Sequence, residues 1–468
     1  LVEKPLLIEC SFDPSFLTLP LELLTTVMRV HQRYIPLLST TNSYDQLSLD
    51  SLGLLNSKFL CISNGLKDAI SVIREGNERV IKARFSDAKY FIDLDKSIST
   101  STRILELKEV TFTDGLGSLY DRVMRISWIS NKLADYLDLQ EQQRLDLEKS
   151  AYFSKNDLVS NIVSEFPELQ GVMGAKYLLI EGQTNTVALA VLEQYMPTYS
   201  GADLPSSFIG SLLSISDKVE LIISIFSKGQ RPSGSSDPYA LRRSANGIIQ
   251  IIIKNQINID LYNLIKESVS YWSDQFPEFL SNNQQTLSDL HDFFRTRLLS
   301  TLEELDIDPD LGSAVAGETI SINRILSDLT DIFNRANILS DLRKKGTLKE
   351  LQEVVARATR LAENSTLDSE TISSKNLIDI NLFEKQSEFD LLEFINEIEP
   401  MTKDRSSSGY QKLAQKLLSG FDVLKNFFDG EFSVMVMAED QLVRNNRLNL
   451  LALIRNQSSV IADFSRIS

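Results

Sequence analysis

The sequence predicts a mainly α, multi-domain protein with a small α/β segment at its start. Three observations carry this. A chain of 468 residues is long enough for roughly three domains of about 150 residues. Short β-like runs, "PLLIECSF" and "SKFLCISNG", occur only in its first part. From Asn77 onward the apolar residues recur at helical spacing in one segment after another.

Taken in order, residues 1–76 read as a small α/β segment. Between its β-like runs, "ELLTTVMRVHQRYI" sets Leu23, Val27, Val30 and Tyr34 on one face of a helix. Residues 77–255 read as one α-helical domain. Within it "AYFSKNDLVSNIVSEFPELQGVMG" opens like a single helix, with Val159, Ile162, Val163 and Phe166 three and four apart, and breaks at Pro167 and two glycines. Lys155, Asp157, Glu165 and Glu168 make that stretch polar enough for a site. The loop "GQRPSGSSDPYALRR" follows, with Asp237 and Pro238 suited to the N-cap and first turn of the next helix. Residues 256–344 read as a helical connecting layer. Residues 345–468 read as a separate helical bundle, its boundary falling at Lys344 to Thr347.

Composition excludes several classes. The charged share of 24% is that of a globular protein, and no apolar run approaches the ~20 residues that span a bilayer. No membrane role is expected. Cys10 and Cys61 are the only cysteines, too few for a disulfide framework or a thiolate zinc cage, so the expected setting is reducing and cytoplasmic. The chain starts at Leu1 with no cationic leader and reads as the C-terminal part of something longer. A formal charge of −16 argues against whole-surface nucleic-acid binding, because phosphate attraction needs Lys and Arg on the contacting face. Any such contact is local.

Catalytic and metal chemistry find little support. The chain has two histidines, His31 and His291, and neither has neighbours at ligand spacing. No nucleophile triad, P-loop or dinucleotide fingerprint is present. Asp87, Asp93 and Asp95 cluster on a helix, which reads as a solvated acidic face. Positive charge is more informative. Arg343, Lys344, Lys345, Lys349 and Arg357 lie close together, and Arg444, Arg447 and Arg455 come near the end. Arg447 shares a stripe with Val443, Leu450 and Ile454, the place of a buried, carboxylate-paired strut. Arg444 lies on the flank of that stripe, open either to a helix salt bridge with Asp440 or to RNA.

Several segments together resemble one family, the β subunit of the bacterial-type heterotetrameric glycyl-tRNA synthetase. They include "FLTLPLELLTTVMRVHQRYIPL", "ARFSDAKYFIDLD", "SEFPELQGVMG", "LEQYMP", "SISDKVELIISIFSKGQRPSGSSDPYALRR" and "FFDGEFSVMVMAEDQLVRNNRLNLLALI", in the family's order across nearly the whole chain. The resemblance implies a His-Asp-hydrolase-like helical domain at 77–255, with "YFSKNDLV" where active hydrolases hold a metal-binding His-Asp pair. Ser154, Lys155, Asn156 and Asp157 supply no imidazole, and Asp217, followed by Lys218, is the surviving carboxylate. A lone carboxylate beside an ammonium is a poor site for a divalent metal. This domain is then a retained scaffold, with no metal and no catalytic residues.

The resemblance also implies that residues 345–468 form an anticodon-binding helical domain similar to that of arginyl-tRNA synthetase. Unstacked bases are read by stacking and by edge hydrogen bonds, for which Phe427, Phe428, Arg444, Asn445, Asn446, Arg455, Lys344 and Lys345 are the candidates. Paired aromatics on an amphipathic helix also suit a core. Arg231, Arg242 and Arg243 are candidate contacts from the helical body, or Arg242 and Arg243 pair with acidic neighbours. The implied partners are glycine tRNA and the α subunit of the heterotetramer. ATP with Mg is expected at the α subunit, and no cofactor in this chain. The alternatives are a non-catalytic scaffold or a phosphohydrolase of the His-Asp type.

Overall fold

The computed structural model describes residues 4–39, 45–64, 67–278, 283–429 and 431–468, leaving aside the side chain of Val354. It divides into two compact units. The first comprises residues 1–251 and 271–281, the second residues 252–270 and 282–468. The described chain is mainly helical, and no helix is long and apolar enough to cross a membrane.

The first unit starts with a three-stranded antiparallel sheet of order β1-β3-β2, where β1 is Pro5–Ser11, β2 Ile35–Leu38 and β3 Leu55–Asn64. Alternation along β1 and β3 turns Ile8, Cys10, Phe59 and Cys61 into the core. The helix expected from Glu22 to Tyr34 is shorter. Helix Leu21–Thr26 widens into a π-turn at Val27–His31, and Arg33 at φ 57° reverses the chain. Val30 is therefore 54% exposed, while Tyr34 stacks on Phe59 and donates to Asn77 Oδ1 at 2.6 Å. Strand β2 carries Pro36, which an edge strand accepts because one row of its N–H groups lacks a partner.

The long helix Ile70–Lys96 ends in a heavily used carboxylate, that of Asp95. Asp95 was expected on a solvated acidic face, yet it is 1% exposed. It accepts from the backbone N–H of Asn161 (2.9 Å) and Ile162 (3.1 Å), the Asn161 amide (2.8 Å) and the Tyr177 hydroxyl (2.7 Å). That set of donors starts the short helix Asn161–Glu165 and so breaks the single helix expected from Ala151 onward. Helix Glu141–Tyr152 stops, and residues 153–160 run as turns.

In the second unit helix Gln441–Ser458 is almost fully enclosed, with Leu450, Leu451, Leu453 and Ile454 all buried. Its polar residues face a long connection that precedes helix Gln386–Ile398. Asn446 bonds both the N–H and the carbonyl of Asp379, Asn456 donates to the carbonyls of Asp368 and Thr371, and Gln457 donates to those of Ile372 and Ile395. Apart from Ile395, which lies in the last turn of helix Gln386–Ile398, the acceptors and donors are backbone groups of the connection itself. Arg447 is the strut its spacing predicts. It is 2% exposed, with Nε 2.8 Å from Glu388 Oε1 and Nη2 2.7 Å from Glu384 Oε2.

Asp95→Ala leaves several buried donors without an acceptor. We expect it to destabilise the first unit by about 3 kcal/mol, which is a fall of roughly 6–12 °C in its thermal transition for a unit of this size. Calorimetry checks this, and an unchanged transition would refute the capping role.

Candidate functional site

Two places gather the residues singled out from the sequence. The first is a buried ionic centre in the first unit. Helix Leu119–Tyr136 supplies Arg122 and Arg125, helix Phe208–Ser227 supplies Asp217, Lys218 and Glu220, and the turns at 153–160 supply Lys155 and Asp157. Arg122 bridges Asp217 (2.9 Å) and Glu220 (2.8 Å), Arg125 reaches Glu220 at 2.9 Å, and Lys155 Nζ is 2.9 Å from Asp217 Oδ1. Burial pushes the Asp217 carboxyl up, but Lys155, Arg122 and Lys218 outweigh it and hold the group below its usual range. Asp157 has no cation close enough to do the same. Burial raises it, although its Oδ2 accepts the N–H of Gly171 (2.6 Å) and Gly174 (2.9 Å).

Those two bonds explain the glycines of "GVMG". A Cβ on Gly174 would come within 3.0 Å of Asp157 Oδ2, and Gly171 has φ 81° with the Tyr195 ring 3.0 Å from its missing Cβ. Lys218, also buried, donates to the carbonyls of Gln194 and Met196 and to Ser214 Oγ. Arg125 Nη2 and Asp157 Oδ1 are buried with no hydrogen-bond partner among the described residues. Lys155 Nζ and Arg122 Nη2 lie against the same oxygen, Oδ1, of Asp217.

The second place is the surface of the second unit around helices Leu348–Ala362 and Phe421–Phe428. Phe427 is fully buried and presents no face to a ligand. Phe428 reaches the surface, where the Arg357 guanidinium lies 4.2 Å from its ring centroid and forms a fork with Asp429. That hydrogen bond lowers the Asp429 carboxyl. With the 41%-exposed Phe421 and with Lys425, Leu424 and Glu353, they line a cavity of about 260 Å³. Apolar ring faces beside guanidinium and carboxylate edges can stack a flat heteroaromatic group and hydrogen-bond its rim.

The other candidates fall elsewhere. Lys344 and Lys345 are exposed at the end of helix Leu329–Lys344. Asn445 is exposed and accepts from the Gln441 amide, whereas Asn446 is buried against Asp379. Arg455 is held by the carbonyls of Ala362 and Leu367. Arg444 does not bridge to Asp440, whose carboxylate caps helix Gln441–Ser458; its guanidinium donates to the carbonyls of Ala438 and Glu439. In the first unit Arg231 donates to the Phe226 carbonyl and lies over that ring at 4.2 Å. Arg243 is exposed, and the N–H of Arg242 goes to Asp237, which caps a helix that starts only at Leu241. His31 lies 3.7 Å from Glu168, and His291 is buried and stacked on Tyr262. Sequence reasoning missed Phe421, Lys425, Asp429 and Glu353. The spacing of Phe421, Leu424, Lys425 and Phe428 on one short helix was the available signal.

Burial draws Lys155 down to about 8 and Lys218 to about 7. Between pH 7 and their unfolded values near 10.5 the unfolded chain holds protons that the folded unit lacks, so these groups make stability rise with pH. Below pH 7 both states are charged and the contribution is constant. Lys218→Met removes one such proton. Its stability relative to wild type is expected to be greater at pH 6.5 than at pH 9, by about 1 kcal/mol or more. A pH-independent difference in denaturation midpoints would contradict the assignment.

Residues 1–317 match the family model described as glycyl-tRNA synthetase beta subunit. Relatives named glycine-tRNA ligase beta subunit are 38% identical in Trichodesmium erythraeum, 40% in Gloeothece citriformis and 36% in Halothermothrix orenii. Each alignment covers 100% of this chain and 64% of the relative, so the chain spans somewhat less than two thirds of their length. On that match and these relatives, the chain belongs to the glycyl-tRNA synthetase beta subunit family.

Proposed function

We propose that this chain is the tRNA-binding part of a glycyl-tRNA synthetase: it binds glycine tRNA, including its anticodon, and supports ATP-dependent glycine attachment carried out with an α subunit. The observation that carries this beyond family membership is the cavity of Phe421, Phe428, Arg357 and Lys425. It offers the exposed ring of Phe421 as a stacking face with Lys425 beside it, while Arg357 covers the Phe428 ring and pairs with Asp429. In this reading residues 345–468 act as an anticodon-binding bundle similar to that of arginyl-tRNA synthetase. Residues 77–255 act as a His-Asp-hydrolase-like body without metal chemistry. ATP with Mg is handled by the α subunit.

A phosphohydrolase reading finds no support in the buried centre, where Lys155 and Arg122 saturate the one carboxylate oxygen that both reach. A pure scaffold would bind α subunits and ignore RNA. Titration of the chain with glycine tRNA across a salt series separates these readings, since counterion release accompanies phosphate contact. We expect salt-sensitive binding that weakens when the anticodon is exchanged. Phe421→Ala, an exposed position, should weaken it about 5- to 150-fold, the range of one base-aromatic stack. Salt-insensitive or absent binding would favour the scaffold.

A further inference from the structure

Helix Leu348–Ala362 carries Glu353 and Arg357, and helix Phe421–Phe428 with its C-cap carries Lys425 and Asp429. Each is an acid and a base four residues apart, the spacing at which such groups pair along one helix. Neither pair forms. Arg357 crosses instead to Asp429, where its two terminal nitrogens take both carboxylate oxygens while it lies over the Phe428 ring. One fork between the helices therefore replaces two pairs within them. Left over are the Glu353 carboxylate and the Lys425 ammonium, both exposed and without a hydrogen bond or ion pair among the described residues.

Both line the cavity of about 260 Å³ that also holds the 41%-exposed ring of Phe421. Its other two charges, Arg357 and Asp429, neutralise each other, so a guest meets one free acceptor, one free donor and one ring face. A carboxylate can only accept, and it suits a base edge that presents an amine; the N4 amine of cytosine is its usual partner. Uracil carries a carbonyl oxygen in that position, and two acceptors face to face repel. The ammonium can only donate, which suits the ring N3 and carbonyl O2 of the same cytosine edge.

We propose that Glu353 selects cytosine in a base stacked on Phe421, by accepting its exocyclic amine while Lys425 donates to the neighbouring N3 or O2. This rests on the function proposed above and deepens it. Glycine codons begin with two guanines, so the anticodon of a glycine tRNA ends in two cytosines, and a uracil at either place belongs to a tRNA for another amino acid. The ring of Phe421 holds any base, because every base has a π face. Glu353 decides which base is held tightly.

The test uses the full chain and glycine tRNA in which each anticodon cytosine in turn is replaced by uracil, adenine or guanine, with thermal unfolding to verify that the variants fold. At one of the two places wild type should bind the cytosine form about 5- to 150-fold more tightly than the uracil form. Glu353→Gln, whose amide both accepts and donates, should bring that ratio close to one. The ratio is the readout, because removing a charge that repels phosphate strengthens binding of every tRNA alike. A wild-type ratio near one, a ratio unchanged by Glu353→Gln, or an adenine or guanine form bound as tightly as the cytosine form overturns the selection. Phe421→Ala separates this inference from the site it rests on. If it weakens binding while Glu353→Gln leaves the ratio unchanged, the stacking site stands and the selection falls. If Phe421→Ala changes neither affinity nor ratio, or the chain binds no tRNA, the site falls and the selection with it.

Discussion

Glu220 has no exposed surface, and its carboxylate lies between two guanidiniums while also accepting from Ser224. Taking a charge out of water costs several kcal/mol unless partners replace the water. The first unit meets this constraint by drawing three elements to one helix. Arg122 and Arg125 come from one side and Lys155 from the turns at 153–160, and Trp272 closes the far side by donating to Ser224 at 2.9 Å. The path of the chain between Tyr152 and Gly174 follows from the need to bring Lys155 to Asp217 and Asp157 to two backbone N–H groups.

The second unit answers the same constraint with Arg447, whose guanidinium joins Glu384 and Glu388 at the start of helix Gln386–Ile398. Around it, polar side chains of the last helix hold a long irregular connection by its backbone. Residues that look like recognition groups in the sequence, Asn446 and Arg455 among them, are bonded to the protein itself. A chain of net charge −16 can still meet RNA, because phosphate contact depends on cations at the interface and not on the total. The cations that matter are those with free donors at a surface.

The outline of the fold was legible. β1, β3 and the succession of helices follow from apolar periodicity. Arg447 was legible as a strut because its place within an apolar stripe is a local fact. Strand β2 was not, since four residues with a proline carry too short a period to register. Asp95 was misplaced because its neighbours Asp87 and Asp93 are solvent-facing types, and the donors that bury it lie more than sixty residues away.

The sequence by itself determined the helical class, the shortage of imidazole and thiolate ligands, the acidic balance and the family. All of these depend on residue type and near-neighbour spacing. Tertiary structure alone decided which charged groups are partnered and which are free. Phe427 and Phe428 are adjacent in sequence, yet one is core and the other wall of a cavity, because one helical step of about 100° turns a side chain from one face to another. The pairing of Lys155 with Asp217 joins residues 62 positions apart. No local pattern encodes that distance; it exists because burying Asp217 leaves its charge more stable beside an ammonium than alone.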